Sequence, residues 1–290
     1  MSWRTIVISQ RSKLDYSQGY LVCRGEKMQK VHLSEIHTVI VESTAVSLTA
    51  ALLCELVHHD VNVIFCDECY NPQSELVPYA GSFDAADKLR QQMAWTHESQ
   101  ENVWTAIVRN KIAQQAALLR HLKFEASAQM LDEYLDGLLP GDPTNREAMA
   151  ARIHFNTLFE KSFSRNQSES SINKALNYGY AILLSCVNRE IAVNGYIMHL
   201  GIHHIGHTNP FNLGCDLMEP WRPVVDSLVY QLAPQKFDTE EKRELQKLLQ
   251  VTVTVNGEER YLPNAIEIYC RNVFRALTEN DASCLTFYER

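Results

Sequence analysis

The chain has 290 residues, 46% of them hydrophobic and 21% charged, so it is long and apolar enough to bury a full core in one large domain or two moderate ones. Its 35 acidic residues exceed its 27 basic ones for a formal net charge of −8, which excludes the global basic excess usual in nucleic-acid binders and confines any polyanion contact to local patches. No uninterrupted apolar run approaches the roughly 18 residues of a membrane span, and the opening "MSWRTIVISQ" lacks the basic and apolar regions of a secretory leader, so a cytoplasmic location and reduced cysteines are expected.

Short β-rich runs come first: "RTIVIS" (4–9), "GYLVC" (19–23), "HTVIVE" (37–42) and "VNVIFC" (61–66), separated by polar turns. Between the last two, Leu48, Ala51, Leu52 and Leu56 follow helical spacing, with Ser47 as the expected N-cap. "CYNPQSELVPYAGSFDAADK" (69–88) holds two prolines, a glycine and few periodic apolar residues, and reads as a connection. Helical patterns then prevail over 86–96, 100–122 and 126–139. One exception is "VTVTVNGEERYLP", whose alternation around Asn256-Gly257 predicts a β-hairpin. The expected class is α+β: a β domain with one helix over 1–75, a linker over 76–85 and a helical domain over 86–290 with a hairpin insertion.

Three places could carry chemistry. "CDEC" (66–69) has the two-residue gap of a zinc knuckle, but no second matching pair follows, so two thiols at a strand end is the preferred reading. His58 and His59 close a predicted helix, where the dipole favours them without any metal. In "DPTNREAMAARIHFNTLF" (142–159), Asp142 and Pro143 read as N-cap and first helical residue, which places Glu147 early in a helix beside Ala148, Ala150 and Ala151. "GIHHIGHTNPFNLGCDLMEPWRP" (201–223) gathers three histidines and two carboxylates. His204 and Glu219 can meet only if the intervening loop doubles back. Asp216 and Glu219, three apart, share a face if helical, and Pro220 and Pro223 mark a helix just beginning. Residue chemistry alone leaves open a magnesium or manganese site or a hydrogen-bonded polar core.

A resemblance narrows this choice. "NREAMAARIHFNTLF", "INKALNYGYAILLS", "GIHH" and "DLMEPWRPVVD" occur in the order and spacing of the CRISPR-associated integrase, the catalytic subunit of spacer acquisition. "SKLDY", "HLSEI" and "VNVIFCDE" extend the likeness over essentially the whole chain, which resembles the type II-A branch. The resemblance implies an N-terminal β-sandwich-like domain, a flexible linker and a helical catalytic domain. It also implies a Mg2+ or Mn2+ ion held by Glu147, His204 and Glu219, with Asp216 as a further acidic group near it. The family's activity is metal-dependent strand transfer, in which the 3′-hydroxyl of a captured DNA fragment (prespacer) attacks a phosphodiester at a CRISPR repeat border.

The implied partners are double-stranded DNA (prespacer and leader-repeat), a second copy of the chain forming a homodimer, a small ferredoxin-like adaptation subunit bridging two dimers, and other type II-A adaptation proteins; no membrane is implied. Arg146, Arg152, Lys161, Arg165, Lys174 and Arg222 are the candidate phosphate contacts, Lys161 to Lys174 bordering the polar loop "FSRNQSESS". The alternatives are a stand-alone metal-dependent repair nuclease, with water as nucleophile, and a non-catalytic DNA scaffold.

Overall fold

Strand β5 (Ile36–Val41) is buried at every position, and this decides how the two halves of the chain join. A strand covered on both faces reads as a continuous apolar run rather than an alternation. Val39 and Val41 face a small core shared with Leu14, Leu21, Leu52 and Leu56, whereas Ile40 joins Ile64 and Cys66 in the large core of the helical half.

The computed structural model describes residues 2–167 and 169–289. Met1 and Arg290, the outer ends of the two expected domains, and Ser168 of the predicted polar loop lie outside the described residues. One four-stranded sheet runs in the order β1 (Arg4–Ile8), β5, β7 (Asn62–Cys66) and β8 (Pro72–Glu75), parallel except for β8. The other runs in the order β4 (Met28–His32), β3 (Tyr20–Arg24), β2 (Ser12–Ser17) and β6 (Val46–Leu48), with β6 parallel to β2. The small core draws on both sheets and on helix α1 (Ala50–His58), which is the sandwich-like arrangement expected.

Two local expectations need correction. Ser47 lies in β6, and the residue that caps α1 is Thr49, whose Oγ1 accepts from Leu52 N at 3.3 Å. The connection read over 69–88 contains β8, an edge strand that tolerates Pro72 because ladder bonds are needed on one side only. Beyond β8 the chain runs against the end of the sixth helix, so close that a side chain at Gly81 would overlap the Ala192 carbonyl.

The helical half comprises α2 (Ala85–Met93), α3 (His97–His121), α4 (Glu125–Asp136), α5 (Arg146–Leu158), α6 (Ser171–Val193), α7 (Asn212–Leu217), α8 (Arg222–Leu232), α9 (Thr239–Gln246) and α10 (Leu262–Glu279). The expected hairpin is present as β9 (Thr252–Val255) and β10 (Glu258–Tyr261), turning through Asn256 and Gly257 at φ of 53° and 75°. Helices α3 and α6 form the centre, each contributing many wholly buried side chains. Where α6 passes Val225 of α8, a Cβ on Gly179 would stand 2.5 Å from Val225 Cγ1, so glycine permits this approach.

Polar clasps fix the β half on the helices. Gln246 Nε2 donates to Glu42 Oε1 and Tyr178 Oη, each at 3.0 Å, and Ser185 Oγ donates to Asn62 Oδ1 at 3.1 Å. Close to this seam, burial pushes the Glu190 carboxyl of α6 up to about 7 against the pull of Arg189. A carboxyl raised on folding favours the folded state fully only below its ordinary value, and the advantage vanishes as pH climbs through the raised one. The thermal unfolding temperature should therefore fall from about pH 5 to about pH 8 by a component that Glu190→Gln removes. Identical pH profiles for the two proteins would contradict this.

Candidate active site

Lys111 belongs to the stripe of α3 that otherwise carries Ile107, Val108, Ile112 and Gln115, and its side chain is only 6% exposed. An ammonium so enclosed requires opposite charge. The carboxylates of Glu147, in the first turn of α5, and Glu219 both contact Lys111 Nζ. Glu219 opens a 3-10 turn, Glu219–Trp221, pinned by wholly buried Trp221, which stacks on Tyr288 at 4.8 Å between centroids. The other Glu219 oxygen accepts from Arg222 Nε at 2.9 Å. Burial works against ionisation of Glu219, but Arg222 and Lys111 overrule it and hold the carboxyl down to about 2. Burial likewise opposes the charge on Lys111, and Glu219 with Glu147 restores it, leaving the ammonium above its ordinary value.

Glu147 is aimed by Asp142. The sequence reading made Asp142 the N-cap with the helix starting at Pro143; in the structure α5 starts at Arg146, preceded by Asn145 in the left-handed region at φ 54°. Asp142 still caps it from a distance, accepting from Arg146 N at 2.8 Å and Glu147 N at 2.9 Å. Both are free donors of a first helical turn.

Asp216, in α7 and wholly buried, organises the other side. Its carboxylate accepts from the backbone N–H groups of Ile202, His203 and His204 at 2.7, 3.1 and 3.0 Å, and contacts His204 Nδ1 at 2.5 Å. The loop therefore doubles back. Gly201 makes this possible, since a Cβ there would collide with the His204 carbonyl and approach Asp216 Oδ2. The Asp216 hydrogen bond, against some desolvation, lifts His204 above its usual range, and Nε2 is the ring nitrogen that Asp216 does not engage. His203 turns away to stack on Trp104 at 4.1 Å, and His207 is exposed.

The expected ligands thus fall into two pairs, Glu147 with Glu219 on one cation and His204 with Asp216, and the Glu219 charge is felt at His204. Among the described residues no three His, Cys, Asp or Glu side chains already form a metal cage. The donor chemistry nevertheless fits a hard divalent ion: two carboxylates converge on one positive charge, and the charge of one of them, Glu219, is felt at the His204 imidazole. Lys111 is the functional residue that sequence reasoning missed. Its signal was a lysine four residues beyond Ile107 in an apolar helical stripe, where a solvated cation does not belong.

Of the candidate phosphate contacts, Arg222 and Arg165 are half-buried and paired within the chain. Arg165 donates to Asn173 Oδ1 at 2.7 Å and Asn177 Oδ1 at 2.6 Å, and the Arg222 guanidinium lies 4.6 Å over the Tyr180 ring. Arg146 covers Tyr134 at 5.4 Å. Arg152 and Lys161 are exposed, as is Lys174, paired to Glu169 at 2.9 Å. In "CDEC", Cys66 is buried at the end of β7 with its thiol pushed up to about 12 by burial, while Cys69 is exposed; all eight cysteines are free thiols.

The sequence pattern of the family described as "CRISPR associated protein Cas1" matches residues 5–140 and 146–265. The CRISPR-associated endonuclease Cas1 of Neisseria meningitidis serogroup C (strain 8013) is 34% identical over 237 residues, covering 81% of this chain and 77% of that protein. A CRISPR-associated endonuclease Cas1 of Pyrobaculum aerophilum is 27% identical over 240 residues, covering 76% and 79%. Among solved structures, a casposase bound to its integration product superposes with a TM-score of 0.77 at 18% identity, over 98% of this chain and 93% of that one. A Cas1 protein from Thermotoga maritima does so with 0.73 at 14%, over 99% and 100%.

Replacing Asp216 by Ala strands the backbone donors of Ile202, His203 and His204 at once. It should cost about 3 kcal/mol or more, whereas His204→Ala, which keeps the Asp216 bonds to backbone, should cost less than about 1.5 kcal/mol. Urea unfolding of the two variants checks this, and equal losses would contradict the organising role of Asp216.

Proposed function

Because the chain belongs to the Cas1 family, we propose that it is the metal-dependent DNA integrase of CRISPR adaptation, joining 3′-hydroxyl ends of captured fragments to the borders of a CRISPR repeat. The observation that carries this is the convergence of Glu147 and Glu219 on a single positive charge, next to a histidine oriented by a buried aspartate. The names of its relatives support a nuclease chemistry, and the casposase likeness supports a fold suited to strand transfer. The type II-A-like branch is part of the same proposal, resting on the motifs quoted above.

Glu147, His204 and Glu219 would hold the ion. Bound there, Mg2+ or Mn2+ supplies polarisation of the scissile phosphate and offsets charge gathering on its oxygens. The chain's own groups prepare that position. Glu219 is kept fully ionised by Arg222 and Lys111; Asp142 fixes the backbone of Glu147; Asp216 fixes the His204 ring through Nδ1. Exposed Arg152, Lys161 and Lys174 would track DNA phosphates, which makes binding steeply salt-dependent despite the net charge of −8.

The partners proposed are double-stranded DNA, a second copy docked through the β half, and a small ferredoxin-like adaptation subunit. Val7, Tyr20 and Met28 of that half are exposed apolar residues on its strands, and β1 and β4 end their sheets with unpaired edges. Solved neighbours include a TtCas1–DNA complex and a Cas6-RT-Cas1–Cas2 complex, each under 20% identical. A cytoplasmic site of action fits this role, and among the described residues no helix is long and apolar enough to cross a membrane.

Incubating an end-labelled DNA fragment with a supercoiled repeat-bearing plasmid tests the reading. Joined product should form with Mn2+ or Mg2+, stop with chelator, and disappear when the fragment carries a 3′-deoxy end. Ala at Glu147, His204 or Glu219 should lower joining by more than about a hundredfold, exceeding the usual effect of removing a supporting group, while His203→Ala and His207→Ala should do less. Shortened DNA without joined product would favour the stand-alone nuclease instead, and no change to either DNA would favour the scaffold.

A further inference from the structure

We propose that Lys111 is the resident counter-ion of the paired carboxylates, occupying the cation position between Glu147 and Glu219 until a divalent metal displaces it. The inference rests on the metal reading above and assigns to Lys111 a role beyond it. Lys111 is a positioning residue: it acts on the two glutamates and, through them, on how readily the site accepts an ion.

The charge count carries the argument. Lys111 and Arg222 contribute two positive charges, and Glu147 and Glu219 two negative ones, so the four side chains form a neutral group, with Lys111 and Glu219 enclosed and Glu147 and Arg222 half-buried at its edge. A divalent ion entering that group with the ammonium in place would leave two uncompensated positive charges where water is scarce, an unfavourable arrangement in a medium that screens poorly. Withdrawal of the ammonium removes one of them, and a backbone phosphate of bound DNA would remove the other. Of the two cations, Lys111 is the one able to leave. Arg222 is anchored against the Tyr180 ring, whereas a lysine is a point charge on a flexible four-carbon stem. Its way out lies past Glu147, whose side chain is 26% exposed against 6% for Glu219. Without the ammonium and without metal, the two carboxylates would lose the cation they share, and Arg222 would remain on Glu219.

The test uses the full chain stripped of metal, titrated with manganese chloride while electron paramagnetic resonance reports free Mn2+, and thermal unfolding in EDTA alongside. Lys111→Met should unfold at lower temperature in EDTA, bind Mn2+ about tenfold more tightly if the ammonium fills the site in about nine molecules of ten, and gain more in unfolding temperature from Mn2+ than wild type. Adding Glu147→Gln to that variant should restore unfolding temperature in EDTA and abolish tight Mn2+ uptake. Should Lys111→Met fail to fold in EDTA, Mn2+ should rescue it. Wild-type uptake of Mn2+ combined with equal or weaker uptake by Lys111→Met, or a failure of Mn2+ to rescue folding, would overturn the counter-ion role alone. A wild type that takes up no Mn2+ would overturn the metal reading and the counter-ion role together.

Discussion

A positive charge cannot sit inside a folded chain without opposite charge beside it, and much of the helical half is arranged around meeting that demand at Lys111. The lysine comes from α3, its partners from the start of α5 and from the 3-10 turn ahead of α8, so a single ammonium ties together three segments distant in sequence. Each partner is secured separately. Asp142 accepts from the backbone of the α5 start, and buried Trp221 pins the turn that carries Glu219. A pair of carboxylates brought this close would repel without a cation, so the fold and the site impose the same requirement.

A second buried charge, Asp216, solves the corresponding problem for the histidine. Its oxygens take three successive backbone donors and the Nδ1 edge of His204, converting a loop with little regular structure into a fixed turn. Further from the centre, Asp226 accepts from His154 Nε2 at 3.0 Å and from Tyr180 Oη, and the Tyr180 ring supports the Arg222 guanidinium. Buried polar groups that bond to one another in a network rigidify their surroundings. The consequence for function is a set of side chains held in place before any ligand arrives, Glu147 on a helix, Glu219 on a 3-10 turn and His204 on a loop that Asp216 pins.

The sequence disclosed the architecture where periodicity was strong and lost it where polar residues occupy strands. Strands β5 and β7 announced themselves through the short apolar runs 39–41 and 63–66 because they are covered on both faces. Strands β2 ("SKLDYS"), β4 ("MQKVH") and β8 ("PQSE") passed unnoticed because their open faces carry charge or amide groups. Glu147, Asp216 and Glu219 were singled out through the family resemblance, yet nothing local linked Glu147 or Glu219 to Lys111, since those contacts span 36 and 108 residues of chain. Arg165 and Arg222 looked like surface cations; their roles are set by rings and amides that only the tertiary fold brings near.

The central claim is that Glu147 and Glu219 create one cation position completed by His204. Anomalous diffraction from crystals of the chain soaked in manganese locates that position directly. The account predicts one strong manganese peak between the two carboxylates and within reach of His204 Nε2, with the Lys111 ammonium withdrawn from where it stands here. A peak held by other residues, or carboxylates still closed on Lys111 at saturating manganese, would contradict it.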